Sequence, residues 1–392
     1  MQILEGIRVL DLTQIYQGPY AAFLLAMAGA DVVKIEPPGG ERMRRGGGKE
    51  TPLAFAMLNS NKQSLTLNLK HDDGKALFLS LAKKADIVME NFAPGTMDRL
   101  GIGYDVLARV NPRLIYASAT GYGLSGPDRD QLAMDHTIQA SSGIMGATGE
   151  IGGPPARAGG TPCDIMGGIH MHAGILQALL GRAHTGNGTL VEISMQESMY
   201  FVLASEFTYL HATGKLPPRR GDRTNTVTTP YGRYECSDGW IAVISVSENH
   251  WRRILEAIGR ADLIGDPDYA DNKNRHAHED KINEMIGDWC RGLTQKEAFA
   301  IMRKKKIPVA PIRDLKDVRD DRHMHERGML QNFEHPYLGP IVLPNSPIRL
   351  SEFETSELRL FPEPGADGTA VLGDWLAMDG QTISGLVERG VI

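Results

Sequence analysis

Cysteine is scarce: the 392 residues hold three. Cys163, Cys236 and Cys290 lie far apart and make no paired metal-ligand spacing. An odd, sparse set excludes a disulfide framework and reads as reduced thiols in a cytosolic protein. No G-x-G-x-x-G follows the first strand-like run, and no Walker A pattern occurs anywhere. That argues against NAD, FAD and P-loop nucleotides. No apolar run is long and unbroken enough to span a bilayer. The opening residues, Met1-Gln2-Ile3-Leu4-Glu5-Gly6, lack the basic and apolar regions of a signal peptide, so a cytoplasmic protein without a membrane partner is expected. Positive charge is not in excess: the net charge is −6 and the pI about 6.1. There is thus no electrostatic reason to expect nucleic acid, although a local basic pocket remains compatible. Internal repeats and low-complexity tracts are also absent.

What is present is ordinary soluble-protein composition, 42% apolar and 23% charged. The length exceeds what one hydrophobic core usually serves, which implies two domains. Glycine is abundant, 44 residues, and interleaved with apolar segments, as tight turns and close backbone approaches require. Ile7-Arg8-Val9-Leu10-Asp11-Leu12 predicts a buried parallel strand. A turn at Gln17-Gly18-Pro19 and an Ala/Leu-rich helix over 20–28 follow, and Asp31-Val32-Val33-Lys34-Ile35-Glu36 predicts the next strand. This βαβ pattern recurs: strands over 64–69, 87–90, 114–118 and 191–194, with a helix over 73–82. The fold class is therefore α/β, a doubly wound Rossmann-like parallel sheet that binds ligands at the carboxyl ends of its strands.

Composition changes at the basic, Pro/Gly-rich stretch that begins Gly214-Lys215-Leu216-Pro217-Pro218. Before it, a long helix is expected over 196–212. Beyond it, strand signals over 231–234 and 240–245 flank Ser237-Asp238-Gly239, a hairpin signature. Amphipathic helices follow over 251–258, 281–291 and 295–304. The domain reading is a large Rossmann-like part over 1–213, a linker over 214–230 and a small inserted α+β domain over 231–313. A second linker covers 314–331, and a C-terminal part, 332–392, returns to the large domain. That tail carries a strand signal over 341–343 and a helix over 382–389. The basic run Arg303-Lys304-Lys305-Lys306 reads as an exposed helix end.

Asp164 is the residue that most invites a chemical reading. It sits in Gly159-Gly160-Thr161-Pro162-Cys163-Asp164-Ile165-Met166-Gly167-Gly168, at the start of a small-residue apolar run over 165–180. An acid at the first turn of a buried helix is stabilised as an anion, and flanking glycines let a ligand approach it. That suits a carboxylate nucleophile. It equally suits an N-cap, the more frequent use of Asp at a helix start.

Motifs elsewhere bear on the choice. Leu4-Glu5-Gly6-Ile7-Arg8-Val9-Leu10-Asp11-Leu12, Gly29-Ala30-Asp31-Val32-Val33-Lys34-Ile35-Glu36 and Leu58-Asn59-Ser60-Asn61-Lys62 recur in order with Glu90-Asn91-Phe92-Ala93-Pro94-Gly95 and Asn111-Pro112-Arg113. Thr120-Gly121-Tyr122-Gly123 and Ser125-Gly126-Pro127 complete the series. Together they resemble the class III CoA-transferase family, which includes formyl-CoA transferase and carnitine CoA-transferase, over nearly the whole chain. The resemblance implies that Asp164 attacks an acyl-CoA thioester and passes through aspartyl anhydride and aspartyl-CoA intermediates. It implies CoA and acyl-CoA as substrates, a carboxylic acid acceptor, no tightly bound cofactor or metal, and an interlinked homodimer.

The same resemblance suggests the other site residues. Gln17 or Tyr16 matches a family glutamine that hydrogen-bonds the intermediates; Tyr16 occupies the usual slot, and both could instead shape the turn. Arg42, Arg44, Arg45, Asn91, Arg99 and Tyr122 match the region that holds CoA, each arginine being otherwise a solvated surface charge. Two alternatives stand beside the transferase. An α-methylacyl-CoA racemase of the same fold would pair Asp164 with a histidine just before Asp135, but Met134 fills that slot and His136 comes one residue late. A non-catalytic CoA-binding protein is the other. Specificity is expected around 147–157 and 220–230, with Arg157, Arg220 or Arg223 as candidates for a second substrate carboxylate. No Gly-rich loop of the formyl-CoA transferase kind is evident near the linker, so oxalate is not the favoured acceptor.

Overall fold

The apolar runs pair as a single parallel sheet. In this computed structural model, which describes residues 1–45, 53–225 and 228–392, β1 (Arg8–Asp11), β2 (Asp31–Glu36), β3 (Gln63–Thr66), β4 (Ile87–Glu90), β5 (Ile115–Thr120) and β6 (Leu190–Ser194) lie in the order β3-β2-β1-β4-β5-β6. All five pairings are parallel. Alternate residues feed opposite faces. Leu10, Val33 and Val88 join one apolar cluster with Phe78 and Trp375. Val9, Val32, Ile87 and Met89 join another with Ala21, Leu25, Met171 and Ile175. A central strand covered on both faces has no solvated side, which is why β1, β2 and β4 read as short, mostly apolar runs.

The first face is covered by the helix Asp72–Ala82 and by the chain's last helices, Gly368–Leu376 and Gly380–Glu388. The second face carries the helix Gln17–Met27 and the long helix Pro162–Thr185, which pack on each other. Two expectations need correction. The first helix begins at Gln17 rather than after Pro19, because proline in the first helical turn loses no needed N–H. The long helix expected over 196–212 is broken into Met195–Ser198, a 3-10 turn Tyr200–Leu203 and Ala204–Thr213.

The chain divides into two compact units: Met1–Ser142, Ala158–Phe201 and Arg322–Ile392 form one, Gly143–Arg157 and Val202–Asp321 the other. In the second unit β7 (Tyr231–Cys236), β8 (Gly239–Ile244) and β9 (Val309–Pro311) form an antiparallel sheet. Trp251, Ile254, Ile282, Ile286 and Met302, spaced along one face of each helix, cover it. In the first unit β10 (Leu330–His335) and β11 (Gly339–Pro344) form a hairpin. Among the described residues no helix is long and apolar enough to cross a membrane.

A buried ionic network lies under the turn that follows β1. Lys62 Nζ donates to Asp11 Oδ2 at 2.8 Å, to Asn59 Oδ1 and to the carbonyl of Pro19. Lys34 pairs with Glu41 at 2.8 Å and donates to the carbonyl of Thr13. Glu41 in turn accepts from Ile15 N. Buried ions are tolerated only when charge and hydrogen bonds are both matched, and here Lys62, Lys34 and Glu41 each bond directly to residues 11–19. The network therefore fixes the backbone that carries Gln17. Ile15 is held at φ 68, a conformation that costs a β-branched residue about 1–3 kcal/mol.

Candidate active site

The strand order reverses between β1 and its neighbours β2 and β4, and a cavity of about 170 Å³ opens at their carboxyl ends. A crevice at such a switch point is where α/β sheets bind ligands. Gln14, Ile15 and Gln17 line it from the turn after β1, Asn91 to Pro94 from the turn after β4, and Ala119 to Gly121 from the end of β5. Asp135 and Asp164 face the same space.

Asp164 is the third residue of its helix, behind Thr161 at the N-cap and Pro162 at the first position. The N-cap alternative is thereby corrected: the cap is Thr161, and its side chain makes no capping bond. The free N–H groups are taken by a different helix. Asp135, first residue of Asp135–Ser141, accepts from Cys163 N at 2.8 Å and from Asp164 N at 3.2 Å through Oδ2. Its Oδ1 accepts from Gln139 Nε2 at 2.6 Å, and Gln139 Oε1 accepts from Ala158 N at 2.9 Å. An anion at a helix N-terminus gains from the dipole and the free amides together. Asp164's own carboxylate is thus released from capping, and among the described residues it takes no hydrogen bond. Burial, and then the charge of Asp135, push its pKa up to about 7. A desolvated, unpaired carboxylate that still ionises near neutrality is a reactive nucleophile.

Gln17 is the first residue of the neighbouring helix and only 3% exposed. Its Nε2 is buried with no partner. Buried amide donors are almost always satisfied, so an orphan facing a cavity marks a place for a ligand acceptor. The glycines of the Asp164 helix explain its position. A Cβ on Gly167 would lie 2.5 Å from Gln17 Nε2, and one on Gly168 would lie 2.5 Å from the Gln17 carbonyl oxygen. Only glycine lets the two helices meet there and leaves the amide room.

The other residues singled out by sequence are placed as follows. Tyr16 is the N-cap residue of the Gln17 helix and half-buried, and it does not line the cavity. Asn91 clips the turn after β1, its Oδ1 accepting from Gln14 N at 2.7 Å and its Nδ2 donating to Gln14 O at 2.8 Å. Arg42, Arg99 and Tyr122 follow the carboxyl ends of β2, β4 and β5. Arg42 and Arg99 are exposed; Tyr122 donates to Ser141 Oγ at 3.3 Å. Arg44 is buried, forked onto Glu36 at 3.0 and 2.8 Å and stacked between Phe55 and Phe361. The Arg45 side chain lies outside the described residues. His136 is exposed and off the cavity, a helical step away from buried Asp135. Arg220 is paired with Glu279, and Arg223 with Asp280 at 3.0 Å. Cys163 is fully buried, its thiol pushed up to about 12 by burial first and then by Asp135 and Asp164, so it is no competing nucleophile. Among the described residues no group of His, Cys, Asp or Glu is placed to hold a metal ion.

Comparison with known proteins places the chain in a family. The family described as CoA-transferase family III matches residues 4–368. The chain is 35% identical to the beta subunit of succinyl-CoA–L-malate CoA-transferase of Chloroflexus aurantiacus, over 99% of this chain and 98% of that one. It is also 35% identical to the acetyl-CoA:oxalate CoA-transferase of Acetobacter aceti, over 92% of each chain. A solved structure of a CAIB/BAIF family protein from Brucella suis superposes with a TM-score of 0.85 at 29% identity, covering 95% of this chain and 99% of that one. The family match and the similarity to these transferases over nearly the whole chain lead to one conclusion: the chain belongs to CoA-transferase family III and is a CoA-transferase.

Proposed function

We propose that the protein moves CoA from an acyl-CoA donor to a short carboxylic acid, with Asp164 as the covalent nucleophile. The observation that carries this reading is the pairing of an unbonded, buried Asp164 carboxylate with the orphan amide of Gln17 around one cavity. An Asp164 oxygen attacks the thioester carbonyl; the C–S bond breaks, and CoA leaves as thiolate from a mixed anhydride. The thiolate returns to the Asp164 carbonyl carbon, releasing the donor acid and leaving an aspartyl-CoA thioester. The acceptor carboxylate then attacks that same carbon and expels the thiolate. The thiolate finally takes the acceptor's acyl carbon and frees Asp164. No step moves a proton, so the site needs no acid–base pair. It needs exclusion of water and a donor to each developing oxyanion, the role assigned to Gln17 Nε2. Arg42, Arg99, Asn91 and Tyr122, on the loops beyond the strand ends, are the proposed CoA contacts, and Arg44 holds Glu36 beneath them.

Trapping tests the covalent step. Incubation with an acyl-CoA and then hydroxylamine is expected to convert Asp164 to its hydroxamate, read as a mass shift on the peptide containing it. An unmodified peptide in enzyme that turns over would remove Asp164 as nucleophile. The racemase alternative requires a second proton carrier, and exposed His136 offers none at the cavity. Solvent deuterium is therefore not expected at the α-carbon of a 2-methylacyl-CoA.

The same reading includes a cytoplasmic, interlinked homodimer, with 214–230 and 314–331 as linkers around an inserted 231–313 domain. Exposed apolar surface supports a second copy: the helix Ala204–Thr213 buries no residue within the chain, and Phe201 is 82% exposed. Sedimentation at nanomolar concentration is expected to find only dimer; a folded monomer there would count against interlinking.

A further inference from the structure

Arg129 lies in the segment between Ser125-Gly126-Pro127 and Asp135, and it lines the cavity that holds Asp164 and Gln17. Among the described residues it is the only cationic side chain to do so; the other charged groups there are the carboxylates of Asp135 and Asp164. Such a cavity repels any acid that carries a further negative charge, unless a cation receives it. Arg129 is weakly committed. Its ion partner is its neighbour Asp130, through one Nε–Oδ1 contact of 3.3 Å, with the side chains 46% and 80% exposed. Exposed pairs of that kind are weak and yield readily to a better anion. The segment around it is braced. Leu124 N donates to Glu192 Oε1, and Gln131 donates to Asp128, so Arg129 is held on a loop with bonds of its own. A cavity of about 170 Å³ also takes only a short acid, since sites for drug-sized ligands run to about 300–1,000 Å³.

We infer that Arg129 receives the second carboxylate of a short dicarboxylic acid whose first carboxylate reacts at Asp164, and so sets the substrate class as dicarboxylate over monocarboxylate. This rests on the transferase reading above. It departs from the expectation that Arg157, Arg220 or Arg223 does this work; Arg220 and Arg223 are paired with acids of their own, and Arg157 does not line this cavity. Guanidinium suits the task because its fork matches a carboxylate in plane and in charge.

The test compares wild type, Arg129→Gln and Arg129→Lys, using succinate and its monoacid analogue butyrate as acceptors and acetyl-CoA as donor. Arg129→Gln is expected to raise KM for succinate about 10- to 100-fold, the worth of a charged hydrogen bond. Butyrate should move far less, and Arg129→Lys should recover part of the loss. Titration calorimetry of succinate into each protein reads the same preference without turnover. It keeps this inference testable even where wild type moves CoA to no acid, the outcome that would sink the transferase reading. Equal losses for both acids, no loss for either, or a wild type that prefers butyrate would overturn the inference. So would a loss that falls on the KM of the donor and disappears with the 3′-dephospho-CoA thioester, because Arg129 would then be reading a phosphate. The side chain is half-exposed on a loop, so matched thermal melts are expected for all three proteins.

Discussion

Asp164→Asn is expected to lose CoA transfer by at least about 10,000-fold, because the carboxamide keeps the shape of the side chain and replaces the nucleophilic carboxylate with a neutral amide. The same substitution is expected to stabilise the fold at neutral and alkaline pH. Burial, then Asp135, raise the folded pKa of Asp164 from 3.8 to about 7. Between those values the folded protein binds a proton that the unfolded chain has already released. Stability from this group is therefore full below about pH 4, falls as pH rises, and is gone above about pH 7. Asparagine has no charge to lose, so the variant's advantage should grow across that window and level off on the order of a few kcal/mol. Denaturant melts at about pH 4 and pH 8 read the difference directly. For the active enzyme the sign is opposite. The kcat/KM for acyl-CoA should rise with pH through about 7 as the nucleophile ionises, then flatten. A profile flat across that range, or an asparagine variant that keeps appreciable turnover, would show that another group attacks the thioester.

How much of this could be read beforehand follows from which interactions are local. β2 and β4 coincide with the expected strands because a strand covered on both faces leaves a mostly apolar run, interrupted in β2 by the buried Lys34. The helix Gly368–Leu376 was not anticipated: it opens on Gly-Thr, and its reason for being helical is the sheet face it covers. The prominence of Asp164 was legible, since its glycines and proline are neighbours in sequence. Its release from capping was not, because the acceptor that takes its N–H lies 29 residues away on Asp135. Arg44 illustrates the reverse. A cluster of arginines suggests phosphate, but the partner of Arg44 is Glu36 and its stacking surfaces are Phe55 and Phe361, relations only the fold supplies. Arg129 carried no signal of its own, being one charge in a charged loop until the cavity is seen.

Gln17→Met is the companion to the first substitution, and its expected effect is the next largest. Methionine matches the reach of glutamine and offers no donor, so it tests the amide alone. Loss of one donor to a developing oxyanion lowers kcat about 100- to 1,000-fold. KM for the CoA donor should change little, because the bond forms only as charge builds on the reacting oxygen. Stability should move the other way or not at all. The Gln17 Nε2 is buried and unpartnered, and removing an unsatisfied donor relieves a penalty that folding otherwise bears. An ordinary core glutamine would give the opposite pair of results, an intact kcat and a weaker fold. Gly167→Ala provides a second route to the same site without deleting the donor. Its Cβ would lie 2.5 Å from Gln17 Nε2, so the amide must swing away and kcat should fall with it. Normal kcat in both variants would leave Gln17 as part of the helix packing only. A loss in both, with melting temperatures held or raised in Gln17→Met, is the result that a ligand-facing amide requires.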